Sequence, residues 1–81
     1  MSEVEILEGV HKIILAHSPE RSKITSVDGN MSILQDLKVN SARLVDIILE
    51  LEDWFNISIS DDDADGIRTV GDAANLVARL I

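Results

Sequence analysis

Apolar residues recur at helical spacing in three segments of the chain. From Glu3 to His17, isoleucine, leucine and valine return at intervals of three and four residues, the pattern of a helix with one apolar face. The same period is found from about Asn40 to Asn56 and again from Thr69 to about Leu80. The pattern therefore predicts three main helices, each of which buries one face.

Local signals predict where these helices begin and end. The first ends at Ser18-Pro19, because the residue before a proline disfavours the α conformation. Asn40 is a good cap for the second helix, since its side chain can accept a hydrogen bond from a free N–H of the first turn. Thr69 and Asp72 have the spacing of a capping box, which starts the last helix.

The other segments predict a short helix and a long loop. Asp61 to Gly66 can form a short helix that ends at a glycine, and the alternating segment 57–60 is too short to support a sheet alone. Between Pro19 and Lys38 the apolar residues follow no regular period, as expected of a loop pinned to a core. We therefore predict an all-α fold, a small four-helix bundle of three main helices and one short helix, with a long loop between the first two main helices.

Composition narrows the classes of function. The 81 residues form one domain at most, and 15 acidic against 7 basic residues give a formal net charge of -8. Such a charge repels nucleic acid and favours partners with basic patches, while a hydrophobic content of 46% argues against disorder. No apolar run has the length of a membrane span, and acidic residues stand near the N-terminus where a signal peptide carries bases. We expect a cytoplasmic monomer.

Catalytic and metal chemistry have little support in the sequence. The chain has no cysteine, so any thiol chemistry needs an added group. His11 and His17 are six residues apart, so they point in different directions from a helix and cannot share a metal; we expect both on the surface. No triad partner for Ser41 and a histidine can be identified, and we expect no enzyme.

An acidic segment offers calcium binding as an alternative function. Asp61 to Gly66 has acids at the first, third and fifth positions and glycine at the sixth, as in the first half of a calcium loop, and Asp72 falls at the twelfth. However, Arg68 stands at the normally apolar eighth position, and the capping box already uses Asp72. We favour a solvated acidic turn. Trp54, between the apolar and acidic faces of the second helix, is either a core-edge residue or a partner contact.

Ser41 is the residue with the clearest functional potential. A serine before a helix usually caps it, but Asn40 can take that place. Ser41 then lies in the first turn, with its hydroxyl free and pointing outward. The sequence around it, DLKVNSARLVDIILELEDWF followed by ISISDDDADGIRTVGDAANLV, resembles the acyl carrier protein family. The family pattern is DLG-x-DSL, a helix ending in L-E-x-x-F, then I-x-I-x-D and T-V-x-D/E, and the similarity runs without a gap from about residue 31 to residue 77.

The resemblance implies a carrier that is not itself an enzyme. Ser41 stands at the place of the modified serine, whose hydroxyl receives 4'-phosphopantetheine from coenzyme A through a magnesium-dependent phosphopantetheinyl transferase. The thiol of this covalent cofactor carries acyl groups as thioesters between enzymes of fatty-acid, lipid or polyketide-type synthesis. A helix N-terminus also suits the phosphate, because the helix dipole and the free N–H groups favour negative charge there.

The resemblance also implies an acyl pocket and a partner-binding face. The acyl chain is expected between the helices, among Ile47, Leu51, Ile59, Ala64, Ile67 and Leu76. Basic patches on the transferase and on acyl-transfer, ligase or condensing enzymes are expected to meet the carboxylates Asp46, Glu50, Glu52 and Asp53.

The motif around the serine departs from the family pattern. Asn40 replaces its aspartate, Ala42 replaces its leucine, and Arg43 stands where housekeeping carriers often have an acid. These changes favour a specialised carrier that serves a dedicated pathway. Two alternatives stay open, namely a carrier of amino acids or peptides and a carrier-shaped interaction protein that is never modified.

Overall fold

The fold is a bundle of four α-helices joined by one long and two short connections. The structure, a computed structural model, describes residues 2–81. Its helices are α1 (Glu3–Ala16), α2 (Ser41–Phe55), α3 (Asp61–Asp65) and α4 (Val70–Leu80). Within residues 2–81 the only β-type pairing is an isolated bridge between Ser32 and Thr69. The predicted all-α bundle, with its long loop between the first two helices, is confirmed.

Each helix begins at a polar residue whose side chain accepts a hydrogen bond from the first turn. These N-caps are Ser2, Asn40, Ser60 and Thr69. The predicted capping box at the start of α4 is present, because the Asp72 carboxylate in turn accepts from the Thr69 N–H. This hydrogen bond, and a second from the Arg68 N–H, hold the pKa of Asp72 below its ordinary value. The stability that this cap contributes is therefore present at neutral pH and lost as the pH falls through that lowered pKa.

The core lies between α1 and the two other long helices, because α1 packs against both α2 and α4. Its largest fully buried side chains include Ile14 of α1 and Ile47 and Leu51 of α2. The long loop adds Ile33, Leu37 and Val39, and α4 adds Val70, Ala73, Ala74, Leu76 and Val77. The predicted apolar stripes of α1, α2 and α4 thus meet in one core.

The long loop is held by hydrogen bonds that join its two ends and that tie its middle to the start of α4. The buried Ser18 hydroxyl donates to the Leu37 carbonyl, and Ile33 N–H donates to the Arg68 carbonyl over 3.1 Å. Gly71 N–H donates to the Gly29 carbonyl over 2.9 Å, and a Cβ on Gly71 would lie only 2.8 Å from that oxygen. Only glycine lets the loop approach α4 so closely. These contacts hold the segment that leads into Asn40 and α2.

Candidate functional site

Ser41 is the first residue of α2 and is not its cap. Asn40 has an extended conformation, and its side-chain oxygen accepts from the Arg43 N–H over 2.8 Å. The prediction that Asn40 caps the helix is confirmed. Ser41 is exposed, and its hydroxyl has no hydrogen-bond partner within residues 2–81. The hydroxyl is therefore accessible to an incoming group.

Lys38 adopts a backbone conformation that the sequence reasoning missed. Its φ is +57°, in the left-handed backbone region that residues with a Cβ rarely occupy. The family pattern DLG-x-DSL has its glycine at this position, and that glycine was the signal for the conformation. The chain makes the same sharp turn before Asn40 with a lysine, at a cost in backbone strain.

Lys38→Gly should therefore stabilise the fold, by about 1 kcal/mol once the greater freedom of glycine in the unfolded chain is included. Chemical denaturation of both proteins measures this change. Lys38→Ala is the matched control, since it removes the charge and keeps the Cβ. Equal unfolding free energies for the two variants would show that the conformation carries no strain.

A groove of about 400 Å³ lies beside Ser41, between α2 and the segment that contains α3. Ser41 lines it together with the apolar residues Leu44, Val45, Ile48, Leu49, Ile59 and Ala64. Glu52, Asp61 and Asp65 complete the lining. The four apolar residues of α2 follow Ser41 by three, four, seven and eight positions, so they share its helix face. Val45 and Leu49 remain more than half exposed, which leaves apolar surface next to the hydroxyl.

The six residues predicted for the acyl pocket do not line one cavity. Ile59 and Ala64 line the groove beside Ser41. Ile47 and Leu51 are fully buried in the core beneath it. Ile67 and Leu76 line a separate depression between α3 and α4. The helical spacing from Ser41 was the signal that identifies the groove residues of α2.

The four carboxylates predicted to meet partners have different surroundings. Asp46 and Asp53 are exposed and form no ion pair within residues 2–81. Glu50 accepts a 2.7 Å hydrogen bond from His17, which connects α2 to the end of α1. Glu52 accepts from the Ile59 N–H over 2.8 Å and so holds the connector between α2 and α3, residues 56–60, which contributes Ile59 to the groove. Two of the four carboxylates therefore have contacts inside the protein.

The two histidines are partly buried, whereas the tryptophan lies on the surface. The expectation of a surface position is wrong for His17, whose side chain is only 10% exposed because it packs at the end of α1 against Glu50. His11 is half-buried, and its Nε2 atom is buried without a hydrogen-bond partner. Trp54 is 62% exposed and lies beside Gly9 of α1, so it is a surface residue and not part of the core edge.

The segment that resembles a calcium loop folds as helix α3. Asp63 forms a 2.9 Å ion pair with Arg79, and the Asp72 carboxylate is engaged in the capping box of α4. Two of the carboxylates that a calcium loop needs are thus bound to other groups. Within residues 2–81 no cluster of three or more histidine, aspartate or glutamate side chains is placed to hold a metal ion.

Comparison with known proteins identifies the class of this bundle. The family model for the phosphopantetheine attachment site matches residues 20–77. The chain is 42% identical to the acyl carrier protein of Lactobacillus acidophilus over 77 residues, which are 95% of this chain and 94% of that protein. The solved structure of an acyl carrier protein from Enterococcus faecalis superposes on this chain with a TM-score of 0.81 at 36% identity. The superposition covers 100% of each chain. A candidate acyl carrier protein from Mycobacterium tuberculosis gives 0.70 at 33% identity, with 95% of each chain covered.

A four-helix bundle that matches this attachment-site model is a carrier protein, not a catalyst. The chain belongs to the acyl carrier protein family. It carries acyl groups on covalently attached 4'-phosphopantetheine and is a substrate of phosphopantetheinyl transferases, which take this group from coenzyme A. Its partners are this transferase and enzymes that handle acyl groups. No helix within residues 2–81 combines the length and the apolar character that a membrane crossing requires.

Proposed function

We propose that Ser41 is the residue that carries phosphopantetheine and that the groove beside it shelters the acyl group. One observation carries the proposal: the exposed hydroxyl and the apolar groove lie on the same face at the start of α2. An arm that leaves Ser41 can therefore fold back onto apolar side chains within its own length. No other serine lines this groove.

The residues at the start of α2 fit a phosphodiester. Asn40 satisfies the N–H of Arg43, while the N–H groups of Ser41 and Ala42 have no partner in the described part of the chain. These two N–H groups and the positive end of the helix dipole favour a negatively charged phosphate on the Ser41 hydroxyl. When bound, the group supplies the thiol that this cysteine-free chain lacks.

The groove favours an acyl group over the amino acid or peptide that the sequence left open. Leucine, valine and isoleucine make up most of its α2 wall, and its volume falls in the range of small-molecule sites, about 300–1,000 Å³. Covering Val45 and Leu49 with an alkyl chain removes apolar surface from water on both sides of the contact. An amino acid has less apolar surface to bury there, and its ammonium group would have to reach the carboxylates of Glu52, Asp61 and Asp65, the acidic part of the lining.

The exposed carboxylates Asp46 and Asp53 fit the partner-binding role. They are seven residues apart, two turns along α2, so they share one face. Basic patches on the transferase and on acyl-transfer, ligase or condensing enzymes would meet them with rapid association and easy release. Glu50 and Glu52 contribute negative charge to the surface of α2 while their hydrogen bonds to His17 and Ile59 hold the structure.

The departures at Asn40, Ala42 and Arg43 support a carrier for a dedicated pathway of fatty-acid, lipid or polyketide-type synthesis. A cytoplasmic location and a monomeric state stay predictions from the sequence.

A thiol assay tests the attachment directly, because the unmodified chain contains no cysteine. Incubation with coenzyme A, Mg²⁺ and a broad-specificity phosphopantetheinyl transferase should add the mass of one phosphopantetheine group and one titratable thiol per chain. Intact mass spectrometry and a thiol reagent measure the two changes independently. A chain that stays free of thiol, while a known carrier is modified in the same mixture, would contradict the proposal.

A further inference from the structure

A second depression, of about 310 Å³, lies on the other side of the start of α2. Its lining includes Arg21, Lys38 and Arg43, and the neighbouring Asn40 and His17. Three of the seven basic residues of an otherwise acidic chain are therefore gathered in one place. They come from the long loop and from the first turn of α2, so only the fold brings them together.

The three cations have no acidic partner in the described part of the chain. Arg21 donates to the Ser18 carbonyl over 3.3 Å, and Lys38 and Arg43 form no salt bridge there. Of the other four basic residues, Lys23 and Arg79 are paired with carboxylates, while Lys12 and Arg68 lie outside the depression. Glu50 reaches this side of α2 but is bound to His17, which itself lines the depression. The depression thus presents uncompensated positive charge to solvent.

This positive charge lies next to the serine. Asn40 lines the basic depression, and Ser41, the following residue, lines the apolar groove. On the groove side the charged residues are Glu52, Asp61 and Asp65. Ser41 therefore stands at a boundary between a negative and a positive side of the surface, so an enzyme that reaches its hydroxyl approaches beside both.

We propose that the basic depression is the docking site for acidic side chains of the phosphopantetheinyl transferase that modifies this chain. The inference rests on the proposed attachment at Ser41. A transferase surface that was basic throughout would meet Asp46 and Asp53 favourably but would be repelled by Lys38 and Arg43. The enzyme that fits this chain presents carboxylates to the depression and basic residues to the acidic face of α2. Two opposite pairs of charges also fix the orientation in which the enzyme reaches the hydroxyl.

Charge reversal in the depression tests this docking site. We would measure kcat/KM for transfer from coenzyme A to wild type, Lys38→Glu and Arg43→Glu, with the transferases of the organism that produces the chain. Each reversal should lower kcat/KM by about ten-fold or more at low salt, mainly through KM, and added salt should shrink the difference. Lys12→Glu is the matched control, because it makes the same change of charge on α1, outside both depressions beside Ser41. It should change kcat/KM by less than about two-fold.

The outcomes separate this inference from the proposed function. An unchanged or raised kcat/KM in Lys38→Glu and Arg43→Glu, with wild type modified normally, would overturn the docking site and leave the attachment at Ser41 intact. Wild type that acquires no thiol would overturn both. Arg43→Gln guards against a folding defect, since it removes the charge without reversing it and should give an intermediate loss. Circular dichroism of each variant shows whether the bundle is formed.

Discussion

Ser41→Ala should remain free of thiol and unchanged in mass under the conditions that modify the wild-type chain. The hydroxyl oxygen of Ser41 is the atom that would attack the phosphorus that bears pantetheine in coenzyme A, losing its proton as the pyrophosphate bond breaks and adenosine 3',5'-bisphosphate leaves. Alanine offers no such nucleophile. The substitution should leave the fold intact, because Asn40 caps α2 and alanine is the best helix former in its first turn. Intact mass spectrometry and the thiol reagent should both report complete loss.

Ser58→Ala is the matched control for this experiment. Ser58 is also exposed, and it lies in the connector between α2 and α3. Because Ser58 does not line the groove, its variant should be modified as fully as the wild type. Addition of phosphopantetheine to Ser41→Ala would place the attachment at another hydroxyl and contradict the assignment.

Helix ends were predictable from the sequence because their causes are local. The cap at Asn40 and the box formed by Thr69 and Asp72 each depend on residues at most three positions apart. The same kind of signal exists at Ser2 and Glu5, whose capping box the sequence reasoning overlooked. Glu5 has its pKa lowered by its hydrogen bond to the Ser2 N–H, as Asp72 has by its bond to Thr69. A systematic search for this spacing would have found both boxes.

The path of the long loop could not be predicted in the same way. It depends on backbone hydrogen bonds between Gly29 and Gly71 and between Ile33 and Arg68, which are far apart along the chain. Backbone groups pair without regard to side-chain identity, so such contacts leave few sequence signals. Gly71 inside a predicted helix was one of them, since glycine there indicates a close approach of another backbone.

The candidate site shows the same division between local and distant causes. The accessible hydroxyl of Ser41 follows from its neighbour in sequence. The roles of Glu50 and Glu52 depend on His17 and on Ile59, which belong to other segments. The basic depression was hidden for a further reason, because the net charge of -8 describes the whole chain and not its distribution over the surface.

Leu51→Ala should lower the free energy of unfolding by about 2–5 kcal/mol. Leu51 is fully buried on the inner face of α2, where that helix packs against α1. Truncation removes apolar surface from the core and leaves a cavity that the surrounding isoleucines and Phe55 cannot fill without moving. In a domain of this size the loss is a large fraction of the total stability. The midpoint of chemical denaturation should fall accordingly.

Leu49→Ala makes the same chemical change two residues earlier in the same helix and separates burial from helix propensity. Leu49 is 56% exposed and lines the groove beside Ser41, so its truncation should change the unfolding free energy by no more than about 0.5 kcal/mol. Leu49 is expected to contribute to the free energy of unfolding only once cargo is present. With an acyl group on the arm, the wild-type chain should gain stability from cargo packed in the groove, and Leu49→Ala should lose part of that gain. Equal midpoints for unloaded Leu51→Ala and Leu49→Ala would show that α2 does not turn Leu51 into the core and Leu49 towards the groove.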